Sequence, residues 1–288
     1  MVDAVALGHV DQYVALREAA VARGIPISYD KRVRDLRTVP DGVEATFGDG
    51  SRAYGELLVG ADGIRSRTRE ILNPDGPAPS YLGLLNAGGF TAGPIEADLD
   101  RTPGLVHMTF GRHAFFGWSM APDGSVWWFA NPPRKEPLRG GEFTEATWRA
   151  HLLGLFAGDA TPGAAIIRAT PEVLGPWNTD DLPRVPVWQR DRVVLLGDAA
   201  HAVSPSSGQG ASMAIEDAVT LGRCPDLADY ERQRRRRVEK VVAFGRRNSR
   251  TKTAGPVGAA IRDSLTPLIM KLLYRNGDPA RWILEHRL

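Results

Sequence analysis

Residues 192–218, RVVLLGDAAHAVSPSSGQGASMAIEDA, read as strand, polar loop and helix, and that order decides the fold. Val193, Val194, Leu195 and Leu196 form a continuous apolar run ending at Gly197, which suits a strand buried on both faces of a parallel sheet. Asp198 follows directly, in the position where open α/β sheets bind ligands beyond the carboxyl ends of their strands. Ser204 to Gly208 is turn chemistry, and from about Gly210 the spacing Ala211, Ala214, Ile215, Ala218 gives one apolar helical face. A helix start in that crevice presents backbone N–H groups and partial positive charge. Gly208 and Gly210 leave room for an anion or an electron-rich ring edge to approach them.

The rest of the chain bounds this reading. Its 288 residues suit one large domain or two ordinary ones, and 43% apolar with 24% charged residues matches a globular protein. No apolar run reaches the roughly 18 residues of a membrane span, and no basic-then-apolar leader opens the sequence, so a cytoplasmic protein without membrane association is expected. The single Cys224 excludes an internal disulfide, and six scattered histidines lack metal-ligand spacing, so no metal site is expected. The net charge of +2 predicts no nucleic-acid partner. Charge is uneven, however: Arg223 to Lys252 holds eleven Lys/Arg against four Asp/Glu, centred on Arg232-Gln-Arg-Arg-Arg-Arg237. On a helix, without interleaved aromatic rings, that run reads as a solvated or cofactor-facing surface.

In chain order, Gln12 to Arg23 reads as a helix closed by Gly24, and Ile25 to Tyr29 as a strand. Val43 to Phe47 and Tyr54 to Val59 read as two further strands, the second ending in Gly60-Ala-Asp-Gly63. Ser66 is a candidate N-cap for a segment whose Arg65, Arg67 and Arg69 suit phosphates or solvent equally. Asn73 to Ser80 is Pro- and Gly-rich and marks a boundary. Beyond it Leu105–Phe110, Ala114–Met120 and Ser125–Ala130 alternate as antiparallel strands. Alternation puts Phe116 and Trp118 on one face and sets Trp128 opposite to Trp127 and Phe129, so some rings cover a core and others line a cavity. Thr144 to Phe156 reads as a helix with Trp148, Leu152 and Leu155 or Phe156 buried. Arg168 to Val187 reads as extended, Ile261 to Tyr274 as helical, and Arg281 to Leu288 as a terminal piece.

Two strand-end motifs flanking a β-rich insertion resemble the class A FAD-dependent aromatic monooxygenases, the para-hydroxybenzoate hydroxylase-like family. Gly197-Asp-Ala-Ala-His201, Pro205, Gly208-Gln-Gly210 and Ala214-Ile-Glu-Asp-Ala218 are similar to that family's second FAD motif, and Gly60-Ala-Asp-Gly63 with Ser66 and Arg69 to its middle motif. A looser likeness runs through Phe110-Gly-Arg112, Ala121-Pro-Asp-Gly124 and Trp127-Trp-Phe129. The resemblance implies an α/β fold in which an incomplete Rossmann-like FAD-binding domain (1–75 and 181–252) carries an inserted antiparallel β-sheet substrate domain (76–180), with a C-terminal helical cap (253–288).

The resemblance further implies that FAD, reduced by NAD(P)H, uses O2 to hydroxylate a small electron-rich aromatic substrate. It places Asp198 on the ribityl hydroxyls, backbone N–H groups near Gly210 and Ala211 at the flavin N1–C2 edge, and Pro205 beside the ring. Gly197, Gly208 and Gln209 complete that side, while Asp62, Gly63 and Arg69 belong near the diphosphate and ribose. Outside the motif, Pro205 and Asp62 read as ordinary turn residues, and Glu216 and Asp217 as acidic residues in the first turn of a helix. No acid or base is assigned. A homodimer is a compatible assembly.

Other motif readings fail on spacing. Met213 stands where a dinucleotide fingerprint needs its third glycine, and Asp198, His201 and Ser206 crowd one loop without the G-x-S-x-G elbow of a hydrolase. The family opens with strand, Gly-x-Gly-x-x-Gly and helix, yet Gly8, Gly24, Gly42, Gly48, Gly50 and Gly55 include no such trio. His9 and Val10 stand where the family usually has an arginine. The expectations that follow are a missing N-terminal βαβ unit and weak or absent FAD binding by the isolated chain. Alternative readings are a non-catalytic remnant of such an enzyme, or another flavin oxidoreductase of the same architecture, such as a reductase or halogenase.

Overall fold

The computed structural model describes residues 9–102, 105–182, 184–252, 264–265, 271, 275 and 281–286. Along the chain run α1 (His9–Ala22), β1 (Val33–Val39), β2 (Gly42–Phe47), β3 (Arg52–Gly55), β4 (Leu58–Gly60), α2 (Arg67–Leu72) and β5 (Ser80–Phe90). Next come β6 (Val106–Phe110), β7 (Phe115–Met120), β8 (Val126–Asn131), α3 (Glu145–Phe156), α4 (Gly163–Ala169) and β9 (Leu174–Asp181). The chain continues through β10 (Gln189–Arg190), β11 (Val193–Leu195), α5 (Asp198–His201), a 3-10 turn (Pro205–Ser207), α6 (Gly210–Arg223), α7 (Leu227–Lys252) and α8 (Arg281–Leu284). No helix among the described residues is long and apolar enough to cross a membrane. Most of the expected helix over Ile261–Tyr274, the position Gly8 and the side chains of His9 and Val10 lie outside what is described.

The chain packs into two units, one of residues 33–83 and 179–288, the other of 1–32 and 84–178. In the first, β11 runs parallel to β4, with Val193 opposite Leu58 and Leu195 opposite Gly60, and β10 pairs antiparallel on the outer side of β11. Val193, Val194 and Leu195 are buried, as a run without polar alternation demands. They pack with Trp188, Tyr230, Val238 and Val241, the last three drawn from a stripe on α7. The chain alternation over 54–59 hides a change of sheet. Arg52–Gly55 closes the antiparallel meander β1-β2-β3, while Leu58–Gly60 joins β11. The expected single strand Tyr54–Val59 is therefore two, broken after Gly55.

The second unit is built on the antiparallel sheet β6-β7-β8-β5-β9. Its hairpins fall within a residue of the expected ones, because turns that carry Gly and Pro separate the strands. One face of β7 and β8, Phe116, Trp118 and Trp128, is buried. Trp148, Leu152 and Phe156 of α3 and Ile166 and Ile167 of α4 are buried in the same unit, with the Phe116 ring 5.1 Å from Phe156 and 5.5 Å from Trp128. Thr144 caps α3 in a reciprocal capping box with Thr147, so the helix begins one residue later than expected. Ile25 to Tyr29 forms no strand: Ile25, Ile27 and Tyr29 are all exposed, and alternation without a partner edge does not make a ladder.

Candidate active site

The parallel pairing of β4 with β11 brings the two glycine-flanked aspartate motifs side by side. Leu196 N–H donates to Gly60 O at 3.0 Å, one residue beyond the last strand pair, so the ladder ends where both motifs begin. Gly60 is required by packing, since a Cβ there would lie 2.5 Å from Thr68 Cγ2. Gly197 is required by backbone: it adopts φ 59° and ψ −138°, and a Cβ would meet that of Ala214 at 3.1 Å. This turn throws Asp198 outward. Its carboxylate is exposed and makes no hydrogen bond within the described residues. Surrounding protein still raises its pKa above the usual carboxylate range, with His201 pulling weakly the other way.

Beyond α5, the 3-10 turn Pro205–Ser207 and Gly208, at φ 65°, lead into α6. Space opens beside Gly208, where an added Cβ would meet nothing within 4 Å. Gln209 is the N-cap of α6 without a side-chain cap bond, and the first intrahelical bond is Met213 N–H to Gln209 O. The N–H groups of Gly210, Ala211 and Ser212 therefore precede the helical ladder and are the donors of its positive end. From behind, α7 supports the turn: the Ser204 and Ser249 hydroxyls meet at 2.6 Å, and a Cβ on Gly245 would lie 3.1 Å from that of Ser207. Lys252 Nζ donates to Ser206 Oγ at 3.1 Å, and burial lowers its pKa to about 8.

On the neighbouring strand end Asp62 accepts from the Ser66 hydroxyl and, at 3.0 Å each, from Thr68 N–H and its hydroxyl. Its carboxylate thus closes a turn and starts α2, which Ser66 caps through Arg69 N–H. Gly63, at φ 78°, faces open space. A cleft of about 430 Å³ runs from Asp62, Gly60 and Thr68 along Val59, Leu57 and the inner residues of the meander. Arg69 does not face phosphates or water. It is buried, donates to Ile64 O at 2.7 Å and to Ala199 O at 3.2 Å, and ties one motif to the other. Desolvation lowers its pKa, against weaker pull from Glu70 and Asp62.

The sequence reading missed the ionic core behind Gly197. Glu216 and Asp217 are not in the first turn of α6, which starts at Gly210; they lie in its second turn, and Asp217 is buried. Asp217 accepts from Gly197 N–H at 3.0 Å, bonds His201 Nε2, and accepts from Arg234 Nε at 2.7 Å. Desolvation acts to raise its pKa, but the bond and charge of His201 and those of Arg234 outweigh it and hold the carboxyl below the usual range. Arg234 also reaches Glu216 at 2.6 Å, and Arg237 chelates Glu216 with two bonds of 2.7 Å. The basic run is thus partly an interior feature. Arg234 falls in the α7 stripe between Tyr230 and Val238, and that helical spacing was the available signal.

These residues fit the flavin half of FAD: backbone donors at a helix start, an outward carboxylate beside them, and glycines that leave the approach open. The Asp198–Ala211 segment lies in one unit with Asp62, Gly63 and Arg69. Among the described residues no cluster of His, Cys, Asp and Glu suits a metal ion.

Comparison with known proteins shows the family. The profile of the FAD binding domain family matches residues 7–244. The aurachin C monooxygenase/isomerase of Stigmatella aurantiaca is 37% identical over 198 residues, covering 68% of this chain and 49% of that protein. The 6-hydroxynicotinate 3-monooxygenase of Bordetella bronchiseptica is 32% identical over 216 residues, covering 75% of this chain and 55% of that one. The crystal structure of Klebsiella pneumoniae HpxO with FAD and uric acid superposes with a TM-score of 0.75 at 28% identity, covering 93% of this chain and 68% of that chain. The chain spans about half the length of the curated relatives it matches, from 49% to 58% of the first three.

Proposed function

The chain belongs to the FAD binding domain family, and from that premise we propose that it serves an FAD-dependent monooxygenase that hydroxylates a small aromatic substrate with NAD(P)H and O2. The unit of residues 33–83 and 179–288 is the cofactor-binding part and the sheet of 84–178 the substrate part. The observation that carries the reading is the outward Asp198 beside the open start of α6, at the adjoining ends of two parallel strands.

In this reading Asp198 accepts bonds from the ribityl hydroxyls, and the N–H groups at Gly210 and Ala211 face the flavin N1–C2 edge. Negative charge there is stabilised by a helix start without an ionisable side chain. Gly197 sets the direction of Asp198; Pro205, Gly208 and Gln209 border the ring. Asp62 and Gly63 shape the neighbouring rim. Arg69 acts from behind, as a positioning residue that holds both rims together. When bound, FAD supplies the electron transfer from NAD(P)H and the activation of O2. What the chain supplies is orientation, a fixed dipole and exclusion of water. The residues described assign no side chain as acid or base.

The test is titration of the chain with FAD by flavin fluorescence, followed by NAD(P)H oxidation with aromatic substrates at saturating FAD. Substrate-dependent oxidation that falls with Asp198→Ala supports the proposal. No oxidation with any aromatic substrate at saturating FAD overturns it for this chain.

A further inference from the structure

We propose that Lys252, in the last turn of α7, is a positioning residue whose ammonium holds the Pro205–Ser207 turn from behind and favours the reduced, negatively charged state of a flavin bordered by that turn. The inference rests on the monooxygenase reading and adds to it a side chain outside both motifs. Four residues on one side of α7 meet the turn. Gly245, Asn248, Ser249 and Lys252 are spaced by three or four residues, so they stack along one helix face. Gly245 lets the turn approach so closely that a Cβ on it would lie 3.1 Å from that of Ser207. The Ser249 and Ser204 hydroxyls meet at 2.6 Å, Asn248 Nδ2 donates to Ser206 O at 3.4 Å, and Lys252 Nζ donates to Ser206 Oγ at 3.1 Å. The turn is linked in its own right to the start of α6: Gln209 N–H donates to Ser207 Oγ at 3.2 Å, and Gly208 N–H to Pro205 O at 3.0 Å. Lys252 thus reaches the Gly210–Ser212 donors through a short series of bonds.

What Lys252 adds to this brace is charge. Ser249 and Asn248 already hold the turn with uncharged groups, and an uncharged donor would serve Ser206 Oγ without the cost of desolvating an ammonium. Lys252 is half-buried, and burial lowers its pKa to about 8, which still leaves it charged at pH 7. The dipole of α7 accounts for a cation in the last turn, but Arg250 meets that demand from an exposed position. It does not account for an ammonium drawn out of water toward the turn. A positive charge in that partly desolvated place adds to the field of the α6 start. An oxidised isoalloxazine, being neutral, gains little from this field, whereas the negative charge that arrives on reduction gains from it directly.

The experiment measures the affinity of the full chain for FAD in both oxidation states at pH 7, by flavin fluorescence for oxidised FAD and by anaerobic isothermal titration for dithionite-reduced FAD. Wild type is compared with Lys252→Gln, which carries an uncharged donor, and Lys252→Arg, which keeps the charge; urea midpoints establish that each is folded. K252Q is expected to leave the oxidised affinity within about threefold and to lower the ratio of reduced to oxidised affinity about tenfold, a shift of about −30 mV in a two-electron potential. K252R is expected to keep the ratio within about threefold of wild type. An unchanged ratio in K252Q overturns the proposal, and so does an equal loss of both affinities, which is what a purely structural brace gives. A folded K252R whose ratio falls about tenfold overturns it too, and that arm stands even where K252Q does not fold. The failures are distinguishable: a wild-type chain that binds FAD in neither state removes the monooxygenase reading and this inference with it, whereas bound FAD with an unmoved ratio removes the role of Lys252 alone.

Discussion

Arg234→Met is the sharpest test of the ionic core. Arg234 is 2% exposed and its loss removes one bond of 2.7 Å from Asp217, itself fully buried, and one of 2.6 Å from Glu216. Glu216 keeps the two bonds from Arg237, and Asp217 keeps Gly197 N–H and His201. One carboxylate oxygen is left without its charge partner. Breaking a buried pair from one side costs about 3–5 kcal/mol, and the retained partners place this case near 3 kcal/mol. That is a large share of the roughly 5–15 kcal/mol of a folded domain. Urea denaturation of R234M, D217N and the double variant measures it. In D217N the amide oxygen still accepts from Gly197 N–H, the buried carboxylate charge is gone, and Arg234 keeps Glu216. The double variant should then cost about 2 kcal/mol less than the sum of the singles. The pH dependence follows in sign. Asp217 has a depressed folded pKa, so its contribution is present above the unfolded value near 4 and is lost as pH falls through the folded one. Removing Arg234 raises the folded value, and acid unfolding of R234M should begin at higher pH than wild type. A cost for R234M under about 1 kcal/mol, or strict additivity in the cycle, refutes the account.

Three further outcomes are expected. Gly197→Ala, at φ 59° and ψ −138° with 3.1 Å to Ala214 Cβ, should cost about 1–3 kcal/mol in thermal denaturation and weaken FAD binding through displacement of Asp198. Asp198→Ala should leave the urea midpoint at or above wild type, because the carboxylate makes no hydrogen bond among the described residues. Its FAD affinity, read by flavin fluorescence, should fall about 10- to 150-fold, as for loss of charged hydrogen bonds. Lys252, with a folded pKa of about 8 against about 10.4 unfolded, binds fewer protons when folded between those values. Wild-type stability should therefore rise from pH 8 to 10, and Lys252→Met should abolish that rise in urea midpoints.

The parts of the fold legible in the sequence are those whose signal is local. The run Val193–Leu196, the Ser-Pro and Gly turns and the spacing of α6 lie within thirty residues of one another, and the β6-β7-β8 meander announces each turn. Long-range pairing carried the rest. Nothing within ten residues of β5 marks Ser80–Phe90 as a long strand; its partners are β8 and β9. Val33–Val39 is mostly exposed and carries three charged residues, so it shows no apolar alternation, yet it pairs with β2 from Val33 to Val39 with a register shift between Val33 and Asp35. In the candidate site the residue types were readable but not their duties. Asp62 spends its oxygens on Ser66 and Thr68, and Arg69 spends its guanidinium on two carbonyls, one of them 130 residues distant.

Asp198 and Asp217 show how position, rather than residue type, divides the work. Both carboxylates flank His201, yet their pKa values are pushed in opposite directions: Asp198 upward through desolvation, Asp217 downward through His201 and Arg234. The buried one is saturated by partners and has nothing left to offer a ligand. The exposed one makes no hydrogen bond among the described residues and is aimed by Gly197, whose N–H is held by the buried one. If Asp198 meets the ribityl hydroxyls as proposed, the strand end must be kept from recruiting it for structure. Here α7 achieves this by feeding Arg234 inward to Asp217, so that the structural demand is met from behind and Asp198 stays available in front.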